Sequence, residues 1–154
     1  GIVDFENAIR KGIKQTSFFI KSPPLPWFGV NGIECLSKQI LKYPSKFDAR
    51  RASLYLGNII RMQEEIGTGG AGFRFLYAAF LQEASQVTNN RSLKELSESM
   101  TEIGDQWRSF AYNTARVCKA RVTDNLGYEE ISNQLHQIFL AEKIFFNQLS
   151  KVYN

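Results

Sequence analysis

Apolar side chains recur every three or four residues along most of this chain, the repeat of helices that each turn one face away from water. Phe5, Ile9, Ile13 and Thr16 fall at such spacing, so the pattern predicts a first helix over Asp4–Ile20, with Asp4 able to cap it. Pro23, Pro24 and Pro26 forbid helix and predict an extended connector ending in Trp27 and Phe28. Asn31 and Glu34 form an Asn variant of the capping box and open a second helix. Its inner face is Ile33, Leu36, Ile40 and Leu41, and Pro44 is expected to end it near Tyr43. Ser45 and Asp48 are spaced to cap a third helix, with Ala52, Tyr55, Leu56, Ile59, Ile60 and Ile66 inside.

Four glycines in the six residues Gly67–Gly72 predict a firm break. A fourth helix is expected from Gly72 to Val87, with Phe73, Leu76, Tyr77, Phe80, Ala84 and Val87 inward. Asn89-Asn90 reads as a turn, and Ser92 to Glu95 as a capping box. The fifth helix carries Leu93, Leu96, Met100, Ile103, Trp107, Phe110, Thr114 and Val117 three and four apart. That is an apolar heptad of about 27 residues, roughly 40 Å of helix. Asp124, Asn125 and Gly127 mark a turn into a sixth helix, whose stripe is Ile131, Leu135, Ile138, Glu142, Phe145, Leu149 and Val152. Glu142 is the single charge in that stripe, read either as reaching solvent at its edge or as pairing with a basic residue. Two long heptad helices joined by a short turn are expected to pack antiparallel. The fold class is therefore all-α: a bundle of about six helices forming a single domain over residues 1–154.

Composition narrows the function classes. With 44% hydrophobic and 22% charged residues, the chain is globular rather than disordered. Its longest apolar run, Phe75–Leu81, is far short of the roughly 20 residues of a membrane span, so no membrane partner is expected. The first residues lack a basic region followed by an apolar stretch, which gives no expectation of a signal peptide. Two cysteines, Cys35 and Cys118, provide neither zinc spacing nor a disulfide framework and fit a reducing, cytoplasmic setting. No metal or other cofactor is expected. A net charge of +4 is mild, and Arg50-Arg51 and Arg116, Lys119 and Arg121 form no long basic stripe, so no nucleic-acid partner is expected either.

The glycine segment is the candidate ligand site. Gly67, Gly69 and Gly72 match G-x-G-x-x-G, but the preceding residues are helical and polar where a dinucleotide turn needs a strand. Backbone N–H groups opening the fourth helix, with Arg74 nearby, form a candidate anion site. The competing reading is a tight turn that only glycine permits. The candidate ligand-binding residues are Gly67, Thr68, Gly69, Gly70, Gly72, Arg74 and Tyr77. No catalytic residue is assigned. A Cys–His pair of His136 with Cys35 or Cys118 is the remaining enzymatic possibility.

The stretch Ile66-Gly67-Thr68-Gly69-Gly70-Ala71-Gly72-Phe73-Arg74-Phe75-Leu76-Tyr77, continuing to Ala84, resembles a bacterial domain of unknown function found C-terminal to butirosin biosynthesis protein H-like domains. The proline connector followed by Phe28-Gly29-Val30-Asn31-Gly32-Ile33 is similar as well. The resemblance covers Asp4 to Val87, and the last two helices match in general character. It implies the C-terminal part of a longer protein whose N-terminal domain is a cysteine-dependent acyltransferase with a fold like papain-like peptidases. This chain would then be its accessory domain, supporting the catalytic domain of the same chain, shaping its cleft or meeting an acyl carrier protein. The alternatives are a homodimerising interaction module and a free-standing Cys/His enzyme.

Overall fold

In a computed structural model, residues 2–21, 30–65, 71–120 and 125–153 are described, and they form six helices. These are α1 (Ile2–Lys21), α2 (Val30–Lys46), α3 (Ala49–Glu65), α4 (Ala71–Thr88), α5 (Arg91–Ala120) and α6 (Asn125–Lys151). No strand occurs among the described residues, so the all-α expectation holds. The proline connector, most of the glycine segment and the start of the last turn lie outside them.

The two long helices form the frame. All eight residues of the α5 heptad are buried, as is the α6 stripe from Ile131 to Leu149. Trp107 meets Glu142 and Arg116 meets Glu130, so the two helices run antiparallel, as the short turn required. α4 packs most extensively on α5, α2 on α6, while α3 leans on α5 and α1 on α6. One contiguous apolar core results.

Hydroxyl side chains tie these pairs across their seams. Ser97 Oγ on α5 donates to the Ala78 carbonyl of α4 at 2.8 Å, and Ser132 Oγ on α6 donates to the Ser37 carbonyl of α2 at 2.8 Å. Ser53 Oγ on α3 donates to the Cys118 carbonyl of α5 at 3.0 Å. Small side chains at such places let backbones approach while these three hydroxyls keep a partner.

Four local expectations are corrected. α2 runs through Pro44 to Lys46 instead of ending near Tyr43. A proline in the last turn removes only its own donor, and the helical ladder resumes at Phe47 N–H to the Tyr43 carbonyl. Asp48 alone caps α3, its Oδ1 accepting from Arg51 N–H at 2.8 Å, whereas Ser45 donates backward to the Lys42 carbonyl. α5 begins one residue before Ser92, because Asn90 Oδ1 accepts from Ser92 N–H and acts as the cap. Asn89, at φ 51°, closes α4 in the left-handed region that asparagine tolerates.

The fourth correction concerns phase. α4 buries Arg74, Tyr77, Ala78, Leu81, Ala84 and Ser85, and turns Leu76, Phe80 and Val87 outward. Leu41 and Tyr55, expected inside, are exposed as well. Phe73, Ile59, Ile60 and Ile66 lie among residues whose side chains are not described.

Gly104 explains how α4 comes so close to α5. A Cβ built there would lie 2.8 Å from Phe75 Cε1 and 2.9 Å from its Cζ. The far end of the half-buried Phe75 ring would have to shift, and with it the contact that the Arg108 guanidinium makes 4.3 Å from its centroid. Gly104→Ala is therefore expected to destabilise the fold by about 1–3 kcal/mol despite alanine's better helix propensity. Urea unfolding checks this; a stabilised variant would show that the contact is soft.

Candidate functional site

The glycine segment leads directly into α4, and the first charged side chain of that helix is Arg74. A cation in a helix's first turn opposes the helix dipole, and burial adds a large desolvation cost. Arg74 is only 8% exposed, so it needs a compensating anion close by. Glu142, on α6 and 1% exposed, supplies it. Arg74 Nε donates to Glu142 Oε1 at 2.6 Å.

Trp107 completes the node from α5. Its Nε1–H donates to the same Glu142 oxygen at 3.0 Å, while the Arg74 guanidinium lies 5.1 Å from its ring centroid. Phe110 meets the indole edge-on at 5.9 Å. Three helices thus converge on one carboxylate oxygen. Both readings of Glu142 offered by the sequence are resolved here: it pairs with a basic residue and does not reach solvent.

The sequence-assigned ligand residues divide accordingly. Gly67, Thr68, Gly69 and Gly70 lie outside the described residues. Gly72 is in the first turn of α4. Arg74 and Tyr77 share the buried side of that helix, with the Tyr77 ring 5.6 Å from Phe80. The Arg74 charge is engaged inside the bundle. Trp107 as donor to the pair was not foreseen: its heptad position marked it only as core.

The nucleophile candidates occupy structural positions. The Cys118 thiol donates to the Ser53 carbonyl at 3.5 Å, and burial pushes its pKa up, opposite to the activation a nucleophile needs. Its titrating neighbour is Tyr128, whose hydroxyl is raised first by burial and then by Cys118; His136 lies two turns further along α6. His136 itself stacks against Phe139 at 5.9 Å. Cys35 is exposed on α2 and accepts from Gln39. Iodoacetamide at pH 8 is accordingly expected to label Cys35 about tenfold faster than Cys118, or more. Mass spectrometry of timed digests reads this directly, and equal rates would contradict the burial argument.

A groove of about 740 Å³ runs between α5 and α6. Asp105, Glu129 and Glu130 make it acidic, and amides from Gln106, Asn133 and Gln134 line it. The Gln134 Oε1 is buried there without a hydrogen-bond partner. Such a lining would receive hydrogen-bond donors, and the volume lies within the range of small-molecule sites. Among the described residues no cluster of three or more His, Cys, Asp or Glu is placed to hold a metal ion. Nor is any described helix long and apolar enough to cross a membrane.

No curated protein and no solved structure matches the chain. A family model does, over residues 2–149, and so reaches into all six helices rather than only the first four that carried the resemblance. On that match the chain belongs to the family described as Domain of unknown function (DUF4872).

Proposed function

We propose that this chain is a non-catalytic accessory helical domain of a butirosin biosynthesis protein H-like acyltransferase or peptidase-like protein, where it supports the catalytic domain of the same chain and helps shape substrate or carrier binding. The observation that carries the reading is the outward stripe of α4. Leu76, Phe80 and Val87 fall on one helical face, and all three are exposed, Leu76 at 72%. Single exposed apolar residues are ordinary, but three aligned on one helix mark a surface that gains from being covered. The stripe starts just after the glycine segment, the most distinctive stretch of the resemblance. Arg74, two positions before Leu76, is locked to α5 and α6, so the stripe rides on a rigid element.

The test uses the full-length protein for acyl transfer and its two halves, expressed separately, for copurification. Leu76→Asp with Val87→Asp is expected to leave the helical circular dichroism of the domain intact, because both side chains are exposed. It is expected to break copurification of separately expressed halves and to lower acyl transfer from an acyl carrier protein. Intact copurification and unchanged kinetics would remove the reading. The same stripe also suits a second copy of this chain, an isologous helix-to-helix pairing. Analytical ultracentrifugation of the isolated domain separates the two, since a monomer at high concentration eliminates the homodimer.

A further inference from the structure

One corner of the bundle gathers basic residues from two consecutive helices. Residues 38–51 carry five of the nineteen basic residues and one of the fifteen acidic ones, a local excess equal to the whole chain's +4. These residues form the corner where α2 turns into α3. Lys38 pairs with Glu34 one turn back, at 3.2 Å. Lys42, Lys46, Arg50 and Arg51 are all exposed. Asp48, the one carboxylate among them, spends an oxygen on the Arg51 backbone N–H.

Folding accounts for Lys46, which sits in the last turn of α2 and over the Phe47 ring, but not for the two arginines. Arg50 and Arg51 occupy the first turn of α3, which holds no acidic residue, so two cations face the positive end of the helix dipole. Swapping their sign would favour the helix. Beside them lies a cluster of rings: Phe47 and Tyr55 with centroids 4.7 Å apart, and Tyr43 at 5.7 and 5.9 Å from each. Tyr55 is 45% exposed, and Leu54 beside it 60%. The corner therefore joins a concentrated positive field to a small apolar anchor.

We infer that the α2–α3 corner is a docking surface for an acidic protein that presents carboxylates around an apolar side chain. Charge complementarity selects the sign of the partner, and arginine's planar fork suits carboxylates. Two observations favour a protein over other anions. The planes of Tyr43, Phe47 and Tyr55 are tilted against one another by 36° to 58°, unlike the parallel platforms on which successive nucleic-acid bases stack. The apolar part is one residue pair wide, the size of a single anchor, whereas interfacial insertion into lipid uses a long apolar helix face. The inference rests on charge placement and stands whether or not α4 meets a catalytic domain.

The test titrates the full chain with a helical peptide of about 20 residues that bears glutamates around one leucine. Comparators are the same peptide with glutamine for glutamate, phosphatidylserine vesicles and a single-stranded oligonucleotide. The glutamate peptide is expected to bind, to shift amide resonances of residues 41–55, and to weaken as salt rises from about 50 to 200 mM. Arg50→Glu with Arg51→Glu is expected to weaken binding tenfold or more while the thermal midpoint holds or rises. Lys42→Gln with Lys46→Gln, on the other helix, is expected to weaken it in the same direction. Binding unchanged by both variants, no binding of the glutamate peptide, or tighter binding to vesicles or oligonucleotide would overturn the assignment.

Discussion

Glu142→Ala is expected to lose about 3–5 kcal/mol of folding stability, the range for removing one member of a buried ion pair. The cause is what remains behind. Arg74 Nε and Trp107 Nε1 both donate to Glu142 Oε1, and the Arg74 side chain is 9% exposed. Removing the carboxylate takes from a buried cation the anion that faces it across α4, α5 and α6 and leaves the indole N–H without its acceptor. Arg74→Met combined with Glu142→Leu is expected to regain most of the loss, because it removes both charges and fills their volume. Urea unfolding of the two single variants and the double variant measures this. A loss below about 1 kcal/mol for Glu142→Ala would mean that water or a shifted side chain satisfies Arg74 after all.

That pair shows both the reach and the limit of reading the sequence. Glu142 stood out as the one charge in the apolar stripe of α6, and its burial follows from the stripe. Arg74 stood out beside the glycine segment, but its partner lies 68 residues away. Helical periodicity says which side of its own helix a residue occupies and not which helix faces it. The clamp therefore became visible only when α4 and α6 were both placed against α5.

The difference between α5 and α4 is instructive in the same way. In α5 the apolar residues form one narrow stripe with polar residues elsewhere, and all eight expected positions are buried. In α4, Phe75 to Leu81 are apolar all the way round, so several faces compete. The face that wins contains Arg74, Ala78 and Ser85, chosen by Glu142, by the close approach to α5 and by the hydrogen bond from Ser97 to the Ala78 carbonyl. None of those is a property of α4 alone. Pro44 and Ser45 misled for a related reason: a helix-breaking or capping residue type states what a position tolerates, while the neighbouring donors decide whether the helix stops.

Trp107→Ala is the second large expected effect, also about 3–5 kcal/mol. Trp107 is 5% exposed and does three things at once. It fills the core against Phe110, it lies beneath the Arg74 guanidinium, and it donates to Glu142. A series separates these roles. Trp107→Phe keeps an aromatic face for Arg74 and much of the volume but loses the donor, and is expected to lose about 1–3 kcal/mol. Repeating that substitution with Arg74→Met and Glu142→Leu already in place removes the carboxylate that needed the donor. The penalty of Trp107→Phe is then expected to shrink, and the difference between the two backgrounds is the coupling of the indole N–H to the ion pair. If the penalty is the same in both backgrounds, the indole contributes volume alone. The three-helix junction would then be held by Arg74 and Glu142 without help from α5.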